Sequence, residues 1–165
     1  MSLRPRALLP ALLIGLLLTG CATGAPESPE TIRQALHGLG DRAASQVVAA
    51  PLLPQPANDQ VLLLATPEID ARLGVGQARL LESLSRALLG RDRGPQVLDW
   101  QPALSQGAEA NQWRLDSRLM AMGPRLSLSD RTLLPYRLQL TLRRPGDPTP
   151  LWQTRLDGAL DASAL

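Results

Sequence analysis

Residues 136–143 read YRLQLTLR, and apolar and polar side chains alternate along this stretch without interruption. The apolar positions are Tyr136, Leu138, Leu140 and Leu142. A period of two is typical of a strand with one buried and one solvated face. Residues 145–148 (PGDP) have the composition of a turn, so residues 151–160 are predicted to return as an antiparallel partner. The carboxyl-terminal third is therefore predicted to contain an antiparallel β-hairpin.

Further strands are predicted on the amino-terminal side of the hairpin. Residues 113–122 also alternate, with Trp113, Leu115, Ser117, Leu119 and Ala121 on one face. Residues 60–66 (QVLLLAT) are almost continuously apolar, which indicates a strand covered on both faces. Residues 96–100 (QVLDW) predict another strand. Residues 101–111 are small and polar, and they suit either a loop or a short helix.

Two segments carry apolar residues at helical spacing. The first begins at residues 28–30 (SPE), which supply an N-cap, a proline at the first helical position and an acid in the first turn. It is predicted to extend over residues 29–50, until Pro51 ends it. The second is predicted over residues 76–89, with Gly90 as its stop. The apolar positions are Ile32, Leu36, Leu39, Ala43 and Val47 in the first helix, and Leu80, Leu81, Leu84, Ala87 and Leu88 in the second.

The order of elements is therefore helix, strand, helix, strand and then antiparallel strands. We predict an α/β fold, a two-layer sandwich in which helices pack on one side of a mixed, mostly antiparallel sheet. The chain has 165 residues, and residues 29–165 are expected to form a single globular domain. It has no Phe and one cysteine, so the core must be built mainly from aliphatic side chains without a disulfide.

The amino-terminal segment has the features of a bacterial lipoprotein signal peptide. Arg4 and Arg6 precede an apolar run over residues 7–18, and small residues then lead through Gly20 to Cys21. The run is shorter than the roughly 20 residues that a transmembrane helix needs. An ordinary secretory signal would leave the only cysteine at the cleavage point by coincidence. We therefore predict that residues 1–20 are removed between Gly20 and Cys21, and that Cys21 is the lipid attachment site for diacylglycerol and palmitate.

The predicted anchor also limits where the domain can be. Residues 21–28 form the lipidated cysteine and a short tether, which reaches about 25 Å at about 3.5 Å per residue. No aspartate follows Cys21, and by analogy with enteric bacteria this predicts the outer membrane rather than the inner one, with the domain facing the periplasm. Removal of Arg4 and Arg6 leaves 15 basic and 15 acidic residues, so nucleic-acid binding is not expected.

Residue types that catalyse reactions are sparse in this sequence. His37 is the only histidine, and we interpret it as a solvated surface residue rather than a general base or metal ligand. A zinc site would lack its usual second histidine or cysteine ligands, and a thiol nucleophile would lack its usual base. No Gly-x-Ser-x-Gly motif is present. Glu68 and Asp70 follow the first strand, and we interpret them as solvated loop charges. We predict that the protein is not an enzyme and that it has no cofactor and no metal.

Binding of another protein is then the expected function. Four arginines of the last hairpin are predicted to place positive charge on its exposed face: Arg137, Arg143, Arg144 and Arg155. The alternative is that they are solvated sheet charges that discourage edge pairing. Trp100 ends a predicted strand, and exposed tryptophans are frequent binding anchors, although a buried position is an equal alternative.

The order of segments resembles the penicillin-binding-protein activator lipoproteins of the LpoB type, which belong to a wider group of envelope lipoproteins that includes the curli-secretion component CsgG. The resemblance is carried by residues 32–51, 61–67, 80–89 and 97–100, and by the hairpin of residues 136–142 and 151–152. It implies that the partner is an envelope protein, and in its most specific form a penicillin-binding protein whose peptidoglycan synthesis is regulated. A structural or assembly subunit of an envelope or secretion complex is the alternative, followed by an enzyme or small-molecule carrier. The chain departs from the family after the first strand, where it reads PEID, and in its short tether.

Overall fold

The computed structural model describes residues 29–106 and 108–162. The helices are α1 (Pro29–Val48) and α2 (Gln77–Leu89), and the strands are β1 (Val61–Leu64), β2 (Glu68–Ile69), β3 (Gln96–Asp99), β4 (Gln112–Ala121), β5 (Leu126–Ser127), β6 (Thr132–Arg143) and β7 (Trp152–Asp161). The predicted signal peptide, Cys21 and the tether lie outside the described residues. Neither helix in the described part is long and apolar enough to cross a membrane.

All seven strands form one open sheet. The main path runs β3-β1-β4-β6-β7, with the two-residue strands β2 and β5 pairing beside β4 and β6. β1 is parallel to β3 and β4, whereas β4, β6 and β7 are antiparallel neighbours. The long pairings are the antiparallel ones, and both helices pack against one side of the sheet. The predicted fold class is therefore confirmed.

The core lies between the helices and one face of the sheet, and it is mostly leucine. The sheet contributes Leu62, Leu64, Trp113, Leu115, Leu119, Tyr136, Leu138, Leu140 and Leu142, and the helices contribute Leu36, Leu39, Ala43, Val47, Leu80, Leu84 and Leu88. Each fully buried leucine contributes about 1.5–3 kcal/mol of transfer free energy. The predicted alternation and the predicted helical stripes are thus the buried faces, while the side chain of Ile32 lies outside the described set.

The connection between β3 and β4 crosses the sheet. These strands lie on opposite sides of β1 and are both parallel to it, so residues 100–111 must pass over β1. The right-handed rule for parallel connections places this crossing on the face away from the helices. Leu63 points to that face and is nevertheless completely buried. Pro102–Ser105 form a short 3-10 turn, and the other described residues of the segment that suited a loop or a helix belong to no helix or strand.

One local prediction was wrong. Glu68 and Asp70 were expected in a loop, but Glu68–Ile69 form β2, which pairs in parallel with Arg118 and Leu119 of β4. β1 ends at Leu64, but the chain pairs with β4 again, still in parallel, from Glu68 directly after Pro67. Asp70 then accepts a hydrogen bond from the backbone N of Arg72 at 3.0 Å and caps the next 3-10 turn.

Candidate partner-binding surface

The face of the sheet away from the helices is the candidate functional surface. Side chains alternate between the two faces of a strand, so each strand that buries leucines on one side presents polar residues on the other. We call this surface the open face. Its polar residues are Glu68 on β2, Arg114, Asp116 and Arg118 on β4, Arg137, Gln139, Thr141 and Arg143 on β6, and Gln153, Arg155, Asp157 and Asp161 on β7. A shallow depression of about 220 Å³ lies in it.

A cluster of three charged side chains lies at one end of the open face. The carboxylate of Asp116 accepts a hydrogen bond from Nε of Arg114 at 2.9 Å. Its second oxygen lies 2.6 Å from Nε of Arg143. Each side chain of the cluster is only about one quarter exposed (24%, 23% and 24%). The cluster therefore holds one net positive charge in a partly desolvated position, where charge interactions are stronger than in bulk water.

Trp100 extends this cluster on its other side. The guanidinium carbon of Arg114 lies 3.8 Å from the centroid of the Trp100 ring, which is the geometry of a cation–π contact. Trp100 is half-buried, and its indole Nε1 is buried with no hydrogen-bond partner among the described residues. The structure thus brings the predicted anchor Trp100 to the border of the open face.

Three predicted arginines lie on the open face itself. Arg143 belongs to the cluster, and Arg137 makes two hydrogen bonds to Asp157, at 2.7 and 2.9 Å. These bonds lower the pKa of the Asp157 carboxyl from its usual value. Arg155 is exposed and pairs in register with Gln139, and its side chain makes no hydrogen bond within the described part of the chain.

Arg144 lies apart from the other predicted arginines. Its guanidinium stacks on Trp113, 3.7 Å from the ring centroid. It also donates to the carbonyl oxygens of Ala110 at 2.5 Å and Gln112 at 3.0 Å. These contacts fix the start of β4. Arg144 was predicted to lie on the exposed face with Arg143, but adjacent residues of an extended chain point to opposite sides.

Sequence reasoning missed four members of the open face: Glu68, Arg114, Asp116 and Arg118. The sequence does indicate the three members on β4, because they are the polar positions of the alternation in residues 113–122. Arg118 pairs with Glu68, with 2.7 Å between Nε and Oε2. Reading the polar positions of β4 beside those of β6 would have found the β4 members.

Two ionisable groups outside the open face, His37 and Asp70, each contact an arginine. His37 lies in a groove of about 560 Å³ between α1 and α2, where Arg86 Nη1 is 2.7 Å from its Nε2. Asp70 is engaged by Arg72, whose hydrogen bonds hold the pKa of this carboxyl well below its usual range. Within the ranges that the structure describes, no three His, Cys, Asp or Glu side chains are grouped so as to hold a metal ion.

Comparison with known proteins gives similarity in fold arrangement only. No family model and no curated protein matches the chain. The LpoB C-terminal domain from Escherichia coli is 14% identical, over 74% of this chain and 97% of that chain, with a TM-score of 0.48. A lipoprotein from Neisseria meningitidis is 12% identical, over 62% and 84%, with a TM-score of 0.45. A protein from Xanthomonas campestris is 13% identical, over 70% and 73%, with a TM-score of 0.47. Similarity at this level carries no argument about function.

Proposed function

We propose that this protein is an outer-membrane lipoprotein whose non-catalytic periplasmic domain binds another envelope protein through the open face. The observation that supports this most directly is the open face itself. Helices cover one side of the sheet, whereas the other side presents charged side chains held in place by one another and by Trp100. Groups that are ordered before binding lose less conformational entropy when a partner arrives.

The charge of the open face indicates the chemistry of the partner. Five arginines face four acids there: Arg114, Arg118, Arg137, Arg143 and Arg155 against Glu68, Asp116, Asp157 and Asp161. The excess is positive, although the chain after removal of the predicted signal is close to neutral. Arginine binds carboxylates through two parallel hydrogen bonds. We therefore expect a partner that presents an acidic surface.

The compartment follows from the predicted lipidation of Cys21. The short tether would keep the start of α1 within about 25 Å of the lipid surface, so the partner is expected to meet the domain close to the membrane. The most specific form of the proposal is a penicillin-binding protein whose peptidoglycan synthesis is regulated. That form rests on the resemblance in the order of segments.

The test is a binding measurement with the full chain in detergent against purified penicillin-binding proteins. Arg118→Glu changes a solvated open-face charge, and Arg79→Glu makes the same charge change at an exposed position of α2. We expect the parent and Arg79→Glu to bind equally and Arg118→Glu to bind at least about tenfold more weakly, which corresponds to about 1.4 kcal/mol. Failure to bind any penicillin-binding protein would overturn the proposal that the protein regulates such a synthase. Unchanged binding by Arg118→Glu would overturn the proposed role of the open face.

A second candidate is a structural subunit of an envelope assembly. The feature that favours it is the outer edge of β7, which has ten residues and no neighbouring strand in the described part of the sheet. An unpaired strand of this length is a template for pairing with another chain.

A further inference from the structure

The outer edge of β7 is long and regular. β7 pairs with β6 along its whole length, from Trp152 to Asp161, in a register without a bulge. At the opposite edge of the sheet, β3 has only four residues. Natural sheets protect long edges with prolines, lysines, bulges or short strands. Residues 152–161 contain no proline and no lysine, and no strand of the described residues pairs with this edge.

The hydrogen-bond pattern shows which residues of β7 face outward. The backbone N of Met122 donates to the carbonyl oxygen of Pro135 at 2.9 Å, so Pro135 points toward β4. Alternate residues of β6, including Tyr136, therefore point toward β7. Tyr136 pairs with Gly158, which directs the even-numbered residues of β7 toward β6. The backbone groups of Gln153, Arg155, Asp157 and Ala159 consequently point away from the sheet.

We propose that the outer edge of β7 pairs with β7 of a second copy of this chain, antiparallel, about a twofold axis at Leu156. In this register, each Arg155 lies opposite Asp157 of the second copy, and the two Leu156 side chains meet on the helix side. The interface is self-complementary, as a twofold contact requires. The contact takes up Arg155 and Asp157 at the β7 border of the open face, but it needs no partner bound to the rest of that face.

Charge selects this register over its competitor. Residues of β7 whose backbone groups point away from the sheet must lie opposite the same kind of residue in the second copy. Two antiparallel registers meet this condition and give the longest overlap of the two strands. One is centred on Leu156 and the other on Asp157. The second sets two Asp157 carboxylates directly opposite each other, which destabilises a strand pair. The register centred on Leu156 instead sets Arg155 of each copy opposite Asp157 of the other, which gives two opposite-charge pairs.

The side chains at this edge are available for such contacts. Asp157 is 60% exposed, and each carboxylate oxygen that accepts from Arg137 has a further lone pair for Arg155 of the second copy. Arg155 is exposed. On the helix side, Leu156 and Trp152 are only partly covered by the core they pack against. A second sheet would cover both.

The experiment uses two single variants that are complementary to each other. In the full chain, Arg155→Asp puts acids opposite Asp157 of the second copy, and Asp157→Arg puts arginines opposite Arg155. We expect the parent chain to have the mass of a dimer in detergent by light scattering, and each variant alone to be a monomer. Mixing the two variants, each with a different tag, restores both ion pairs, so both tags are expected in one dimer.

Matched controls separate pairing from misfolding. Arg79→Asp makes the same charge change on α2 and should remain dimeric. Asp157→Arg also removes the partner of Arg137 and can unfold for that reason. Arg155→Asp leaves the Arg137–Asp157 ion pair intact, so it decides the result if Asp157→Arg unfolds. A monomeric parent chain, a dimer of Arg155→Asp alone, or no mixed dimer between folded variants would overturn the proposal.

Disulfide formation tests the position of the axis. Directly opposite residues in a non-hydrogen-bonded antiparallel pair have Cα atoms about 4.5 Å apart, within the range that a disulfide spans. In a Cys21→Ala chain, Leu156→Cys should form a covalent dimer on mild oxidation. Leu98→Cys, at an exposed position of β3, should not. Equal crosslinking of both variants, or none from Leu156→Cys, would overturn the register.

Discussion

Arg114 and Arg143 lie directly opposite each other on the neighbouring strands β4 and β6. Like charges in this arrangement destabilise a sheet, but Asp116 contacts both guanidinium groups. Its carboxylate therefore converts a repulsive cross-strand pair into a bridged one. The open face depends on this bridge for its order at the end nearest Trp100.

Replacement of Asp116 should destabilise the fold. We expect Asp116→Asn to lower the free energy of unfolding by about 1–2 kcal/mol, because two arginines remain close together in a site that is about one quarter exposed. The measurement is urea unfolding at pH 7. Asp157→Asn, at a much more exposed ion pair, is the control and should lose less.

A double variant separates repulsion from simple loss of a contact. Arg143→Gln in the Asp116→Asn background removes the repulsion, so part of the lost stability should return. If the double variant is less stable than Asp116→Asn alone, the bridge is not the reason for the effect.

Two glycines of α1 should respond oppositely to alanine. A Cβ at Gly40 would lie 2.5 Å from Oγ of Ser83 and 2.7 Å from its carbonyl oxygen, whereas nothing lies within 4 Å of a Cβ at Gly38. Ser83 cannot move easily, because its hydroxyl donates to the carbonyl oxygen of Leu36 at 2.6 Å. We expect Gly40→Ala to cost about 1–3 kcal/mol and Gly38→Ala to stabilise by about 0.5–1 kcal/mol. Thermal unfolding of both variants measures this, and equal shifts would contradict the close helix contact.

Acid should remove the stabilising contribution of Asp70. Hydrogen bonds from Arg72 lower the pKa of this carboxyl in the folded protein, so the contribution is fully present above the unfolded pKa of about 3.9. It is lost as the pH falls below that value toward the folded pKa. Asp70→Asn should be less stable than the parent at pH 7, and the difference should shrink between about pH 4 and pH 2. A difference that is constant with pH in urea unfolding would contradict this origin.

Cys21 should decide whether the protein stays with the membrane. We expect Cys21→Ala to incorporate no labelled palmitate and to keep its signal peptide uncleaved by the lipoprotein peptidase, because the acceptor thiol is gone. Ala22→Ser leaves the thiol in place and should be labelled normally. Normal labelling of Cys21→Ala would contradict the predicted anchor.

Much of the fold was predictable from sequence because its elements follow simple periods. The alternation in residues 136–143 and the leucine spacing of both helices report burial on one face directly. β2 escaped prediction because two residues carry no period, and Pro67 is a strong local stop signal. The crossing of residues 100–111 was also not predictable, since composition does not say over which strand a loop passes.

The candidate surface was predictable only in part, for a related reason. Alternation places Arg137, Arg143 and Arg155 on one face, but it does not show which arginines find a carboxylate. Arg114 and Asp116 are two residues apart on one strand, and their contact with Arg143 depends on the pairing of β4 with β6. Such contacts become visible only when the register is known.

The most direct test of the open face as a binding surface is photo-crosslinking in living cells from its centre. Gln139 pairs in register with Arg118 on one side and Arg155 on the other, and Gln46 is an exposed control position on α1. With a photoreactive residue at position 139, we predict a covalent adduct with a different envelope protein, and we predict no such adduct from position 46. The absence of any adduct with another protein from position 139, or the same adduct from both positions, would contradict the account.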